Sequence, residues 1–192
     1  MPRHFAETLT QGNQSMIKKI LFATSLFTAS LSIAQAGAFY IGPSINVIDV
    51  TSPNGSYRGL DPRISFGYSD IFSSSTYLAG EIFTTPFSAV LSENTSNSTS
   101  LKTSRNFGAS FIPGVFISSD AIGYARLGLI TTKFTGPSVY KTGAQFGVGL
   151  QAALAPNWSL RSEYDFITYG TISQLGSPKT DQFTIGVLYH FI

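Results

Sequence analysis

Between Thr142 and Tyr169 the chain reads TGAQFGVGLQAALAPNWSLRSEYDFITY, and its apolar and polar positions alternate with period two. Ala144, Phe146, Val148, Leu150, Ala152 and Leu154 share one face, opposite Gly143, Gln145, Gly147, Gly149 and Gln151. After a turn at Ala155, Pro156 and Asn157 the pattern resumes, with Trp158, Leu160, Tyr164 and Phe166 opposite Arg161, Glu163 and Asp165. This predicts a hairpin with one apolar and one polar face.

Six more segments of about ten residues complete a set of eight predicted strands. Near Ala38–Ile48, Phe39, Ile41, Ile45 and Val47 oppose Tyr40, Gly42, Ser44 and Asn46. Near Gly59–Tyr68, Ile64, Phe66 and Tyr68 oppose Asp61, Arg63, Ser65 and Gly67. The segment Thr76–Phe87 alternates most weakly, with Leu78 and Ile82 opposite Glu81. Arg105–Ile117 sets Phe107, Ala109, Phe111, Val115 and Ile117 against Gly108, Ser110 and Gly114, and Ala121–Thr132 sets Ala125, Leu127 and Leu129 against Tyr124, Arg126 and Gly128. Asp181–Phe191 is the most regular, with Phe183, Ile185, Val187, Tyr189 and Phe191 opposite Thr184, Gly186, Leu188 and His190.

The connections alternate in length. Ser69–Ser75, Ser118–Asp120 and Ala155–Asn157 are short, whereas Asp49–Arg58, Ser88–Ser104, Lys133–Lys141 and Gly170–Thr180 are longer and polar. Short turns at one end and longer loops at the other suit an even-stranded barrel with both termini at the turn end. Pro43 and Pro113 fall inside strands of a wall without a free edge, which predicts bulges at both.

Which face meets which solvent is decided by glycine. A water-facing strand surface gains nothing from Gly, but a narrow lumen uses it to make room for large charged neighbours. The apolar face is therefore assigned to lipid and the charged face to the interior. A soluble lipocalin-like barrel of the periplasm, with the faces exchanged, is the third alternative.

GVGLQAALAPNWSLRSEYDF, together with the last strand, resembles the small outer-membrane β-barrel family of Gram-negative bacteria, which includes the transmembrane domain of outer membrane protein A, outer membrane protein X and the opacity adhesins. The resemblance implies an all-β fold, an eight-stranded antiparallel transmembrane up-and-down β-barrel. It implies no single activity, since members of the group are anchors, adhesins, inhibitors or small pores. A terminal strand of alternating aromatics resembles the family's signal to the outer-membrane insertion machinery. Ile192 after the terminal Phe191 departs from that pattern.

Composition supports a membrane strand protein. Only 11% of residues are charged, against roughly 25% in soluble domains, and no apolar run approaches the ~20 residues of a spanning helix. Met16-Ile17-Lys18-Lys19, the apolar ILFATSLFTASLSI and Ala34-Gln35-Ala36 have the three parts of a secretory signal. The expected organisation is an over-extended gene start over residues 1–15, a signal peptide over 16–36 and a barrel over 37–192. Without Arg3, Glu7, Lys18 and Lys19, nine cations face nine acids. That balance gives no basis for nucleic-acid binding.

The inward charges Arg63, Glu81, Arg126, Arg161 and Glu163, with Asp165 slightly higher, are expected at one mid-barrel height as an ionic layer closing the lumen. Phe39, Trp158, Tyr189 and Phe191 are expected in the inner aromatic girdle, and Tyr57, Phe134, Tyr140 and Tyr169 in the outer one. No catalytic residue, metal site or cofactor is expected: once the leader is removed His190 is the one histidine, placed at the inner rim without a spaced acid. The function expected is a structural or adhesin-like surface-interaction role through four external loops, with a narrow charge-gated porin-like channel as the alternative. The expected partners are outer-membrane lipid and lipopolysaccharide, the insertion machinery, and a host or surface ligand at the loops. The barrel is expected to be a monomer. The mature chain is expected to begin at Gly37; intact-mass spectrometry of protein taken from membranes reads this directly, and a chain retaining Met1 or Met16 contradicts it.

Overall fold

The structure, a computed structural model, describes residues 37–52, 55–86, 89–93, 101–134, 139–171 and 177–191. The predicted leader, Ile192 and residues 94–100 of the predicted second loop lie outside them. The strands are β1 (Ala38–Ser52), β2 (Gly55–Ser73), β3 (Thr76–Thr85), β4 (Ala89–Glu93), β5 (Leu101–Ser118), β6 (Ala121–Phe134), β7 (Val139–Ala155), β8 (Trp158–Tyr169) and β9 (Lys179–Phe191).

Each strand pairs antiparallel with its neighbours, and β1 pairs with both β2 and β9, so the sheet closes on itself. β3 and β4 occupy the same place between β2 and β5 and form one barrel strand interrupted at Pro86. The result is a closed eight-stranded barrel. Stepping between in-register partners from Tyr40 through Gly67, Glu81, Ser110, Gly128, Gln145, Ile167 and Thr180 returns to β1 at Val50, ten residues further on. With eight strands, that stagger corresponds to a tilt of about 40° and an interior just wide enough for side chains.

Alternation sets the two faces. Phe39, Ile45, Ile82, Phe111, Leu129, Val148, Tyr164 and Ile185 are exposed on the outside, while Asn46, Asp61, Arg126, Gln145 and Asp165 are buried inside. The apolar band ends at the loop end, where the outward Arg58 and Asp49 pair at 2.8 Å and Tyr164 donates to Asp181 at 2.6 Å.

Glycine makes the interior possible. Tyr40 lies in register with Gly67, Phe83 with Gly108, Tyr124 with Gly149 and Tyr169 with Gly143. A Cβ at Gly67 or Gly149 would fall 2.3 Å from the facing Tyr40 or Tyr124 ring. Each large inward ring thus lies over the next strand, in space that another side chain would fill.

Two-residue turns at 74–75, 119–120 and 156–157 lie at one end. The chain termini are there too, since Phe39 pairs with Phe191. The opposite end differs from the sequence expectation because the strands run on. β1 and β2 remain paired to Ser52 and Gly55, within the expected loop Asp49–Arg58. β4 and the start of β5 pair within the expected loop Ser88–Ser104. At 19 and 18 residues, β2 and β5 exceed the roughly 9–11 residues that cross a bilayer and carry the wall beyond it.

The bulges expected at Pro43 and Pro113 do not form. Pro43 stays paired with Ile64 and Pro113 with Leu78; only the ladder on the other side of each is interrupted, and it resumes in the same register. A strand residue directs its N–H to one neighbour, so each proline forfeits a single bond. The irregularities lie elsewhere. Seven positions separate Tyr57 from Ile64 on β2, but nine separate Thr84 from Glu93 opposite, around Pro86. On β5, Arg105 is the extra residue where the register with β6 slips.

Gly149→Ala is expected to destabilise the barrel by about 1–3 kcal/mol through overpacking against Tyr124. Gly80→Ala, where nothing lies within 4 Å of the new Cβ, should be nearly neutral. Urea unfolding of the refolded barrels compares the two, and equal midpoints would contradict the glycine argument.

Candidate functional site: a buried ionic layer

The middle of the lumen is held by charges from strands that do not adjoin. Glu81 projects from β3, Arg126 from β6, and Arg161, Glu163 and Asp165 from β8, all on inward rows. Arg126 bridges the acids: Nη1 lies 2.9 Å from Glu81 Oε1, and Nε lies 2.8 Å from Glu163 Oε2 and 3.9 Å from Asp165 Oδ1. Arg161 Nη1 lies 2.5 Å from Glu81 Oε2, and its Nη2 donates to Gln151 Oε1 at 3.0 Å. Arg63 takes a different position. It donates to Gln182 Oε1 at 3.0 Å, and Gln182 Nε2 donates in turn to Asp165 Oδ2 at 3.0 Å. Gln182 therefore links Arg63 to the layer.

Aromatic groups complete the layer. Tyr40 donates to Glu81 at 2.9 Å and Tyr124 to Glu163 at 2.8 Å. The Arg161 guanidinium lies 5.3 Å from the Tyr40 ring centroid and 5.4 Å from that of Tyr124, and Arg63 lies 4.3 Å over Phe83. Both tyrosines fall on the inward rows of the sequence pattern, yet neither was assigned to the layer, because hydrogen bonding across a lumen leaves no mark on a single strand. Asp61 was read as inward but not as part of a network; it accepts from Thr85 at 3.0 Å and Asn106 at 3.2 Å.

Apolar clusters lie on both sides of these charges. Toward the turns, Tyr40, Tyr77, Ile112, Ile122, Tyr124 and Leu188 pack together. Toward the loops, Phe83, Ile130, Phe134, Ile167 and Tyr169 form one cluster and Ile48, Val50 and Tyr57 another. Tyr57, Phe134 and Tyr169 are thus in the lumen and not in the outer girdle expected from the sequence. Their parity along β2, β6 and β8 is that of the inward rows, and the strands extend far enough for parity to hold. Tyr140 alone of the four is exposed outside.

At the turn end, Trp158 and Tyr189 pack at 5.0 Å, Tyr189 and Phe191 at 5.1 Å, and Phe39 and Tyr68 at 5.0 Å. The in-register pair Phe39–Phe191 joins the two groups into an outward belt. Inside the same end, Ser159 Oγ and His190 Nε2 approach to 3.1 Å. This pairing was not foreseen, because spacing along the chain conceals contacts between neighbouring strands.

The chain belongs to the outer membrane protein β-barrel domain family, whose model matches residues 20–191. Among solved structures, Neisserial surface protein A is similar at a TM-score of 0.59 and 24% identity, the match covering 82% of this chain and 100% of that one. Ail, the attachment invasion locus protein of Yersinia pestis, solved in complex with the heparin analogue sucrose octasulfate, is similar at a TM-score of 0.57 and 19% identity over 82% of this chain and 100% of that one. The outer membrane enzyme PagL matches at a TM-score of 0.50 and 12% identity over 74% of this chain and 97% of that one. These likenesses establish the fold. Among curated proteins none matches.

Glu81→Ala removes the ion-pair partner of Arg161 and one partner of Arg126. Leaving a buried cation uncompensated costs about 3–5 kcal/mol. A fall of that size in urea unfolding is expected, smaller for Glu81→Gln, which keeps an acceptor; an unchanged midpoint for Glu81→Ala would remove the layer's structural importance.

Proposed function

We propose that this chain resides in the outer membrane as a monomeric barrel, with its turn end in the periplasm and its loop end outside, and that it works by surface interaction at the loop end. On this reading the ionic layer is structural, and β9 presents the insertion machinery with its aromatic row. A host or surface ligand would be met by the loops and by the strand extensions beneath them.

The observation that carries this reading is how fully the described residues fill the lumen. Among the loop-end clusters lies a cavity of about 20 Å³, lined by Ile48, Val50, Phe134, Tyr169 and, on the side of the layer, Gln182 among others. That is room for about one water. A permeation path needs continuous water, and the layer and its flanking clusters would all have to move to admit it.

A narrow channel remains the second reading, favoured by buried polar atoms in the lumen. The Gln145 amide and Ser110 Oγ have no hydrogen-bond partner among the described residues, and water entering the lumen would satisfy both. Catalysis is the least supported. The Ser159–His190 contact is buried in the lumen at the turn end, and among the described residues no carboxylate hydrogen-bonds to His190. A hydrolytic triad needs an acid to orient its base.

Planar-bilayer recording of the refolded mature chain, beside a variant with Glu81 and Arg126 both neutralised, separates the readings. A silent, correctly folded wild-type barrel is expected. Discrete openings altered by the double substitution would instead make the layer a gate.

A further inference from the structure

The outer wall carries a depression at the loop-end margin of the apolar band, across β2, β3, β5 and β6 and reaching Thr142 of β7. Its volume is about 630 Å³, within the range of ligand clefts. Its cause is local. Ala109 pairs across the strands with Ile82 and Leu129 and lies between Phe107 and Phe111 along its own strand, so one small residue is ringed by large ones. Toward the loops the lining changes from hydrocarbon to hydroxyl, with Thr131 and Thr142 hydrogen-bonded at 2.9 Å and Thr84 donating to the Asn106 carbonyl at 3.0 Å.

Two cations lie beyond the hydroxyls. Exposed Arg105 stands two residues past Phe107 on β5, and Lys133 two residues past Thr131 on β6, its ammonium 5.5 Å from the Tyr140 ring centroid. Among the described residues neither is ion-paired, whereas outward Arg58 is matched by Asp49. The other outward acid at this end, Asp181, accepts from Tyr164 on β8. Asp49 and Asp181 therefore lie on the β1–β9 side of the rim, where exposed Lys179 also stands, while Arg105 and Lys133 lie beside the groove without an ion-paired acid among the described residues.

We propose that this groove is a binding site for a phosphorylated, multiply acylated lipid of the leaflet at the loop end, as lipid A is in chemistry. Acyl chains fill the depression over Ala109, the threonine hydroxyls meet the sugar or ester region, and Arg105 and Lys133 hold phosphate by charge-assisted hydrogen bonds. The site is distinguished from the rest of the lipid-facing wall by the coincidence of a hollow, a hydroxyl shelf and unmatched positive charge along one line. This inference rests on the outer-membrane location proposed above. A chain that does not fold in bilayers would sink that location, whereas a folded barrel indifferent to lipid sinks only the site.

The test is native mass spectrometry of the refolded mature barrel from mixed micelles. The micelles contain hexa-acylated bisphosphorylated lipid A, its dephosphorylated counterpart and phosphatidylethanolamine. Heat-modifiable migration reports folding of every variant. The bisphosphorylated lipid should be retained on the order of tenfold more than the dephosphorylated one, roughly what one good polar contact supplies. The double variant R105Q/K133Q should lose that preference while still retaining acylated lipid. Ala109→Phe, or Ala109→Leu where Phe prevents folding, should reduce retention of both. Equal retention of the lipids, an unaffected groove variant, or displacement by inorganic phosphate as effective as by lipid would each overturn the proposal.

Discussion

An eight-stranded wall staggered by ten residues encloses a space that side chains must fill completely, and that limit governs the rest of the molecule. Any inward residue is opposed within a few ångströms by others, so size and charge are set jointly across strands. Glycine at 67, 108, 143 and 149 is the counterpart of Tyr40, Phe83, Tyr169 and Tyr124. Charge obeys the same rule: Arg126 stands between Glu81 and Glu163 because no solvent is near enough to compensate either acid. The exterior, bathed in hydrocarbon, tolerates the converse, with Phe, Ile, Val and Leu in rows that a soluble protein would bury.

The ion pairs are better understood as a condition of the fold than as its source of stability. Bringing Glu81, Arg126, Arg161 and Glu163 out of water is costly, and their mutual attraction offsets that cost only while all are present with their tyrosine and glutamine partners. What drives assembly is satisfaction of the backbone within a closed ladder and transfer of the outer rows into lipid. In the closed barrel Glu81 and Glu163 meet Arg126, Glu81 also meets Arg161, and Gln182 links Arg63 to Asp165.

Much of this was legible in the pattern of single strands. Period two places the inward row of β8 and the outward row of β9, and three residues of turn chemistry place the connections at Ser118–Asp120 and Ala155–Asn157, whereas the expected Ser69–Ser75 connection shrinks to a two-residue turn because β2 runs on to Ser73. Parity alone puts Tyr57, Phe134 and Tyr169 on inward rows, but the polar stretches around them resemble loops, so the strands expected from the pattern stop short of Tyr57 and Phe134 and end at Tyr169. The bulges expected at Pro43 and Pro113 are absent because the side on which each N–H is missing follows from the strand partners, which local pattern does not reveal. β4 lies within the stretch Ser88–Ser104, whose Ser- and Thr-rich composition reads as a loop, while the expected strand Thr76–Phe87 runs through the break at Pro86. The network through Gln182, Tyr40 and Tyr124, and the contact of Ser159 with His190, join strands far apart or side by side in space, which no reading of local alternation reaches.

Because Arg126 is shared by acids on β3 and β8, the layer cannot be neutralised by any hairpin alone. A half-formed sheet entering hydrocarbon would carry Arg126 or Glu81 with no partner at depth. The wiring of the lumen thus ties the charge balance of the interior to the closed cylinder rather than to any of its hairpins.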